Sequence, residues 1–405
     1  MGIDEGGKCG GTWAWPAGLT DERSRTMLAA GELSWCYAYL DLSATSAGPP
    51  QTAAEWFGTA LADAEGLFVL GEALYPTDDE NVAVLLDGES GAVYLACPDE
   101  SGALRRDLLA SSPRALIALA VVVEAVTLTA AGAYERDEDE VLPPYGPATA
   151  DAAVRLGLRE LREADPDLWQ RTGGRPAHWE TALRIRALAW GAGPPAADGV
   201  PYTVGPDLVE DLAELTGTGT VRRFLPEELP ARLTHAPTRR LLTEVGLPVS
   251  SRGPLTVPAE GPLVTMAQAF PDAYADTEDE EPSARPYQGD HLALGGWTYD
   301  LEATLDGATG RVELPDWHDD DQPAPYLHRD LATLLHVLWT YERLRAERRR
   351  WGSSTPSPWA VFRPCDLLDG VVVPVLRSLD PSAWAVEGQY WPTRADDCHM
   401  GELLE

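Results

Sequence analysis

One lysine stands among 405 residues, cysteine occurs five times, and no apolar run is long enough to cross a bilayer. The longest candidate, residues 115–133, is interrupted by Glu124 and falls short of the roughly 20 uninterrupted apolar residues that a span requires. The opening MGIDEGGKCGG has no basic region followed by an apolar stretch, so it does not read as a secretory signal. Cysteines 9, 36, 97, 365 and 398 are odd in number and never spaced as CxxC, which argues against a disulfide framework and a zinc site and for reduced thiols in a cytoplasmic protein. Basic charge is scarce too: 31 bases against 65 acids leave −34, with each half of the chain carrying −17. Such a field repels nucleic acid and anionic lipid and attracts basic partners. Catalytic signatures are missing as well. There is no phosphate loop, no HExxH, no GxSxG elbow and no deaminase pair, since RPCDLLD at 363–369 lacks the second cysteine.

What is present is repetition. PAGLT at 16–20 answers PARLT at 230–234, and Arg25, Met27 and Gly31 answer Arg240, Leu242 and Gly246. Leu70-Gly71 and Leu294-Gly295 each precede a matching stretch, LLDGESGAV at 85–93 and TLDGATGRV at 304–312. LREADPDLW at 161–169 answers LRSLDPSAW at 376–384, and Trp179 and Trp391 follow. Five matches in one order indicate a tandem duplication. A chain of this length already favours two domains. The copies are read as 1–192 and 206–405, joined by a Pro/Gly-rich linker at 193–205.

Within a copy, PTRRLLTEVG at 237–246 reads as a helix, with Pro237 in the first turn and Gly246 at the stop. Residues 82–96 and 303–314 read as tight hairpins around Asp-Gly, with glycines that can take positive φ. Helices are expected at 112–126 and 326–351, the second taking in His328 and His336. The order predicts an α+β fold: two units, each with a mixed or antiparallel sheet covered by helices on one face.

Few residues suggest chemistry. PDWHDDDQ at 315–322 offers Asp316, His318, Asp319, Asp320 and Asp321 as oxygen and imidazole ligands, but consecutive loop residues cannot all face one ion and calcium-loop spacing is absent, so no metal or cofactor is expected. Cys97 and Cys365 read as structural thiols, and His235, just before a helix, reads as capping or packing. Asp87 and Asp306 are turn residues on backbone grounds, a catalytic carboxylate being the alternative. Trp169, Trp179, Trp384 and Trp391 complete a core or, alternatively, line a pocket.

The segment 223–248 followed by 292–316 resembles the SUKH superfamily, and within it the fourth SUKH subfamily of bacterial immunity proteins. The resemblance rests on Leu229, Pro230, His235, Pro237, Thr238, Arg239, Arg240, Gly246, Leu247 and Pro248, then on Leu294, Gly295, Leu305, Asp306, Gly310 and Val312. It covers residues 208–391; the first copy resembles the family only through its likeness to the second and lacks the His-x-Pro-Thr-Arg-Arg sequence. The resemblance implies an α+β fold and a non-enzymatic protein that neutralises a bacterial toxin, often a nuclease or nucleic-acid deaminase, with these motif residues structural. A basic toxin would suit the acidic runs Asp276, Glu278, Asp279, Glu280, Glu281 and Asp316, Asp319, Asp320, Asp321, which are the candidate contact surface. Two other readings stand beside it: a scaffold whose two units join partners or mimic a homodimer, and a metal-dependent hydrolase or deaminase working at 316–321.

Overall fold

A computed structural model describes residues 14–33, 36–46, 48–58, 61, 63–74, 82–132, 146–174, 176–189, 204–249, 253–274, 286–298, 301–315, 326–352, 360–396 and 403–404. The chain forms two compact units. The first comprises Met1–Val126, Val154–Arg186 and Ser354–Gly370, and the second Thr127–Ala153, Ala187–Ser353 and Val371–Glu405. Most of the linker expected at 193–205 lies outside the described residues. Among the described residues no helix is long and apolar enough to cross a membrane.

The elements of residues 14–189 are α1 (Glu22–Ala30), β1 (Cys36–Tyr37), β2 (Leu40–Asp41), α2 (Ala53–Phe57), β3 (Leu67–Ala73), β4 (Ala83–Asp87), β5 (Val93–Pro98), β6 (Leu104–Ala110), α3 (Pro113–Gly132), α4 (Pro147–Ala164), α5 (Pro166–Arg171) and α6 (Ala177–Ala189). The six strands pair in sequence order as an antiparallel meander. Sequence punctuation sets the boundaries. Asp21 caps α1 by accepting the Ser24 amide at 2.8 Å, and Thr52 and Glu55 form a reciprocal capping box on α2. Gly31 and Gly58 end these helices at φ 69° and 66°.

Every residue from Ala83 to Leu86, and from Leu67 to Leu70, is buried, so the central strands are covered on both faces. LFVL and AVLL are continuous apolar runs, the pattern of a two-sided interior strand. On one face Leu67, Val69, Ala83, Leu85 and Ala96 pack with Ala53, Trp56 and Phe57 of α2. A bulge interrupts β3 between Val69 and Gly71, and a Cβ at 71 would strike the Asp41 carbonyl of β2, which explains the glycine. Beyond the meander, buried Asp165 accepts the Ser111 and Leu168 amides at 2.7 and 3.0 Å, and the Trp179 indole donates to the Leu109 carbonyl at 2.7 Å.

Residues 204–396 contain α7 (Pro206–Leu215), β7 (Thr220–Arg222), α8 (Ala236–Arg240), β8 (Leu247–Val249), β9 (Leu255–Thr256), α9 (Met266–Ala269), β10 (Leu292–Trp297), β11 (Leu301–Leu305), β12 (Val312–Glu313), β13 (Tyr326–His328), α10 (Leu331–Gly352), α11 (Pro364–Leu379) and α12 (Tyr390–Asp396). Strands β9 to β13 form a second antiparallel meander, and β7 and β8 a separate ribbon. A π-helical turn, Leu241–Val245, continues α8. The devices of the first sheet recur. Thr265 and Gln268 form a capping box on α9, and β10 carries a bulge between Ala293 and Gly295, where a Cβ would strike Thr256 O of β9.

The helix expected at 326–351 needs correction. Residues 326–328 pair with β12, with Val312 opposite His328, and α10 begins only after Asp330, whose side chain accepts the Thr333 amide at 2.7 Å. His328 is therefore a strand residue, and Asp330 is the stop and start signal that helical periodicity hid. The helix α7, also unread in sequence, buries Leu208, Val209, Leu212 and Ala213. It is pinned to α10 by Asp211, which accepts Arg343 Nε and Nη2 at 2.6 and 2.7 Å and the Trp339 indole at 2.7 Å.

Two fully buried histidines favour the neutral ring: burial pushes His178 down to about 4 and His336 to about 3. An unfolded histidine takes its proton near 6.5. The folded pKa lies below the unfolded one, so as pH falls below about 6.5 the unfolded state binds the proton first and stability is lost. We expect wild type to lose roughly 2 kcal/mol relative to His336→Phe between pH 6.5 and 4.5 in denaturant titrations, and no differential above pH 7.5.

Candidate functional site

The residues that carry the family resemblance converge on one hairpin. The Asp306 amide donates to Arg311 O at 2.9 Å, and its carboxylate accepts the Ala308 amide at 2.9 Å and the Thr309 hydroxyl at 2.6 Å. Partial burial opposes ionisation, but these donors outweigh it and hold the Asp306 carboxyl below the usual range. A carboxylate stabilised in its charged form is a poor proton acceptor and a good turn brace. The Gly307 carbonyl then accepts two consecutive amides, Thr234 at 2.8 Å and His235 at 3.0 Å. A Cβ at 307 would crowd Arg232 O, and Gly310, at φ 81°, lies against the His235 ring. His235 Nδ1 pairs with the Thr238 hydroxyl at 2.8 Å.

The remaining motif residues serve the same segment. Pro230 O accepts the Leu233 amide at 3.0 Å, and Arg239 donates to Leu233 O at 3.0 Å. Pro237 occupies the first turn of α8, while Arg240 is exposed. Gly246, at φ 95°, passes so close to Arg222 O that a Cβ would clash, and Gly295 fills the β10 bulge.

A buried polar chain crosses the adjoining strands. Glu313 accepts Arg311 Nε at 2.9 Å, Gln288 Nε2 at 3.1 Å and the Tyr287 hydroxyl at 3.2 Å. Its cross-strand neighbour Tyr326 donates to Asp380 at 3.3 Å and lies 5.2 Å beneath the Arg311 guanidinium. Asp380 also pairs with His328 Nδ1 at 2.9 Å, and the Trp391 indole donates to His328 Nε2 at 3.0 Å. An indole N–H can only donate, so Nε2 is the acceptor and Nδ1 carries the proton toward Asp380. The pair has the look of an acid–base dyad, yet both ring nitrogens are engaged and the ring is buried. Its chemistry is structural.

Nothing in the sequence singled out Glu313, Tyr326 or His328 as partners. The Asp-Pro turn at 380 was visible, but its partner lies 52 positions earlier. Trp391 is about 1% exposed, as a core reading requires, Trp179 is as deeply buried but borders a cavity, and Trp384 is half-buried and stacks on Trp391. Cys97 is buried, with Arg105 donating to its sulfur at 3.0 Å. The contact candidates Asp276, Glu278, Asp279, Glu280, Glu281, Asp316, Asp319, Asp320 and Asp321 all lie outside the described residues, as does His318. Among the described residues no group of three or more His, Cys, Asp or Glu side chains is placed to hold a metal ion.

Asp380→Ala leaves the His328 N–H and the Tyr326 hydroxyl without their acceptor in a buried site, which costs about 3 kcal/mol or more. Urea unfolding should show that loss, whereas Arg240→Ala on the exposed face of α8 should change stability by less than about 0.5 kcal/mol.

Residues 208–397 match the family described as SUKH-4 immunity protein. No curated protein and no solved structure matches the chain. The match spans the hairpin, the clamp around His235 and the buried Glu313 to Trp391 chain, so this C-terminal part of the protein is similar to SUKH-4 immunity proteins.

Proposed function

We propose that this protein neutralises a bacterial toxin by binding it, laying an acidic surface of the second unit over the active site of a basic nuclease or nucleic-acid deaminase. The observation that carries the reading is where the two acidic runs are rooted. The run at 276–281 rejoins the described chain at Pro286, beside Tyr287 and Gln288, both bonded to Glu313. The run at 316–321 leaves from β12 just after Glu313 and returns at Tyr326, the residue paired with Glu313. The described residues that flank the two runs thus meet around Glu313, which supports reading the runs as one surface. With a net charge of −34, that arrangement suits electrostatic capture of a cation-rich surface that itself evolved to hold nucleic acid. Screening confines the effect to about 8 Å at physiological salt, so charges rooted at the docked face dominate.

The first unit we read as a diverged copy of the second. Support comes from hydrogen bonds that recur at corresponding positions: Thr20 and Asp21 amides on Gly88 O, both 2.8 Å, match Thr234 and His235 on Gly307 O. Asp165 and Asp380 share φ −144° with ψ 79° and 84°. The bulges at Gly71 and Gly295 correspond, as do those at Val93 and Val312.

Co-expression with the product of the neighbouring gene should rescue cells from its toxicity, and binding without rescue would favour the scaffold reading. Replacing Glu278, Asp279, Glu280 and Glu281 by Lys should slow association about tenfold or more at low ionic strength, with the difference shrinking in high salt. Unchanged association at low salt would remove the proposed surface.

A further inference from the structure

We propose that a cavity in the first unit binds an organic cation, an apolar chain ending in a guanidinium or ammonium head. The cavity measures about 230 Å³ and is walled by Leu108, Leu109, Pro176, Trp179 and Phe362, with Asp107 at its polar side. Ligand pockets for drug-sized molecules span roughly 300–1,000 Å³, so this space suits one short chain or a single side chain. Its chemistry is asymmetric. Trp179 and Phe362 offer ring surface to an aliphatic stem or a planar guanidinium.

Asp107 is held with one oxygen spent: Oδ2 accepts the Val361 and Phe362 amides, both at 2.7 Å. Those bonds fix residues 361–362 as one wall of the cavity and orient the carboxylate, while Oδ1 accepts no protein hydrogen bond among the described residues. Two neighbouring groups could oppose a cation. His178, also in the wall, is neutral near pH 7 because burial lowers it to about 4. Arg105, two positions from Asp107 on β6, sends Nη2 to Cys97 Sγ at 3.0 Å. Burial, opposed by the two amides and by Arg105, raises the Asp107 carboxyl above the usual range, the state of a carboxylate whose desolvation a bound cation would offset.

The test is titration of the full-length protein with n-butylguanidinium, read by ligand-observed NMR, beside butylurea, its uncharged analogue. Asp107→Asn keeps an oxygen for the two amides and removes the charge, so the fold should persist by circular dichroism while butylguanidinium affinity drops at least tenfold. Ala360→Trp should fill the space and abolish binding with the charge intact. A free small cation is the occupant if butylguanidinium binds and acetyl-Ala-Arg-Ala-amide does not, and a partner's arginine side chain if both bind. Equal binding of butylurea, or affinity unchanged in Asp107→Asn, overturns the proposal.

Discussion

In each unit a single carbonyl organises the fold. Gly88 O and Gly307 O sit at the tips of tight hairpins, and each receives two consecutive backbone amides from the segment that leads into a helix. A carbonyl has two lone pairs, so one atom can accept both the amide of the N-cap residue and that of the residue before it. That dual bond ties the hairpin to the incoming chain at the start of the helix. It also dictates composition: a residue with a Cβ at 88 would meet the Gly18 carbonyl and at 307 the Arg232 carbonyl, so glycine is required by approach, and the aspartate before it supplies the acceptors that hold the turn.

This constraint explains which parts of the fold were readable in sequence. Asp-Gly-x-x-Gly is a local device, and its strands appeared where the apolar runs placed them. The α+β class followed from the same reading. Three things did not. The boundary at Asp330 was lost because Tyr326 to His328 continue a helix-like pattern, while their strand pairing depends on β12, 13 to 16 positions away. Which elements cover the two faces of β3 and β4 depends on tertiary packing that the strands' own apolar runs do not specify. The polar chain from Glu313 to Trp391 joins residues tens of positions apart through bonds that no periodicity encodes.

The acidic runs behave in the opposite way. Acidic runs are conspicuous in a sequence because they are contiguous, and such runs carry little packing information. What structure adds is the geometry of the described residues that flank them: Tyr287, Gln288, Glu313 and Tyr326 form a compact bonded group.

Asp165 and Asp380 hold nearly one backbone conformation yet answer to different partners, main-chain amides in the first unit and the Tyr326 and His328 side chains in the second. Backbone donors come with any sequence; side-chain donors do not. Substitutions around Asp165 are therefore free to accumulate one at a time, whereas Tyr326, His328, Asp380 and Trp391 form an epistatic set in which each change is tolerated only with compensation by the others. The second unit is locked to its chemistry by side chains, and the first is left open to drift.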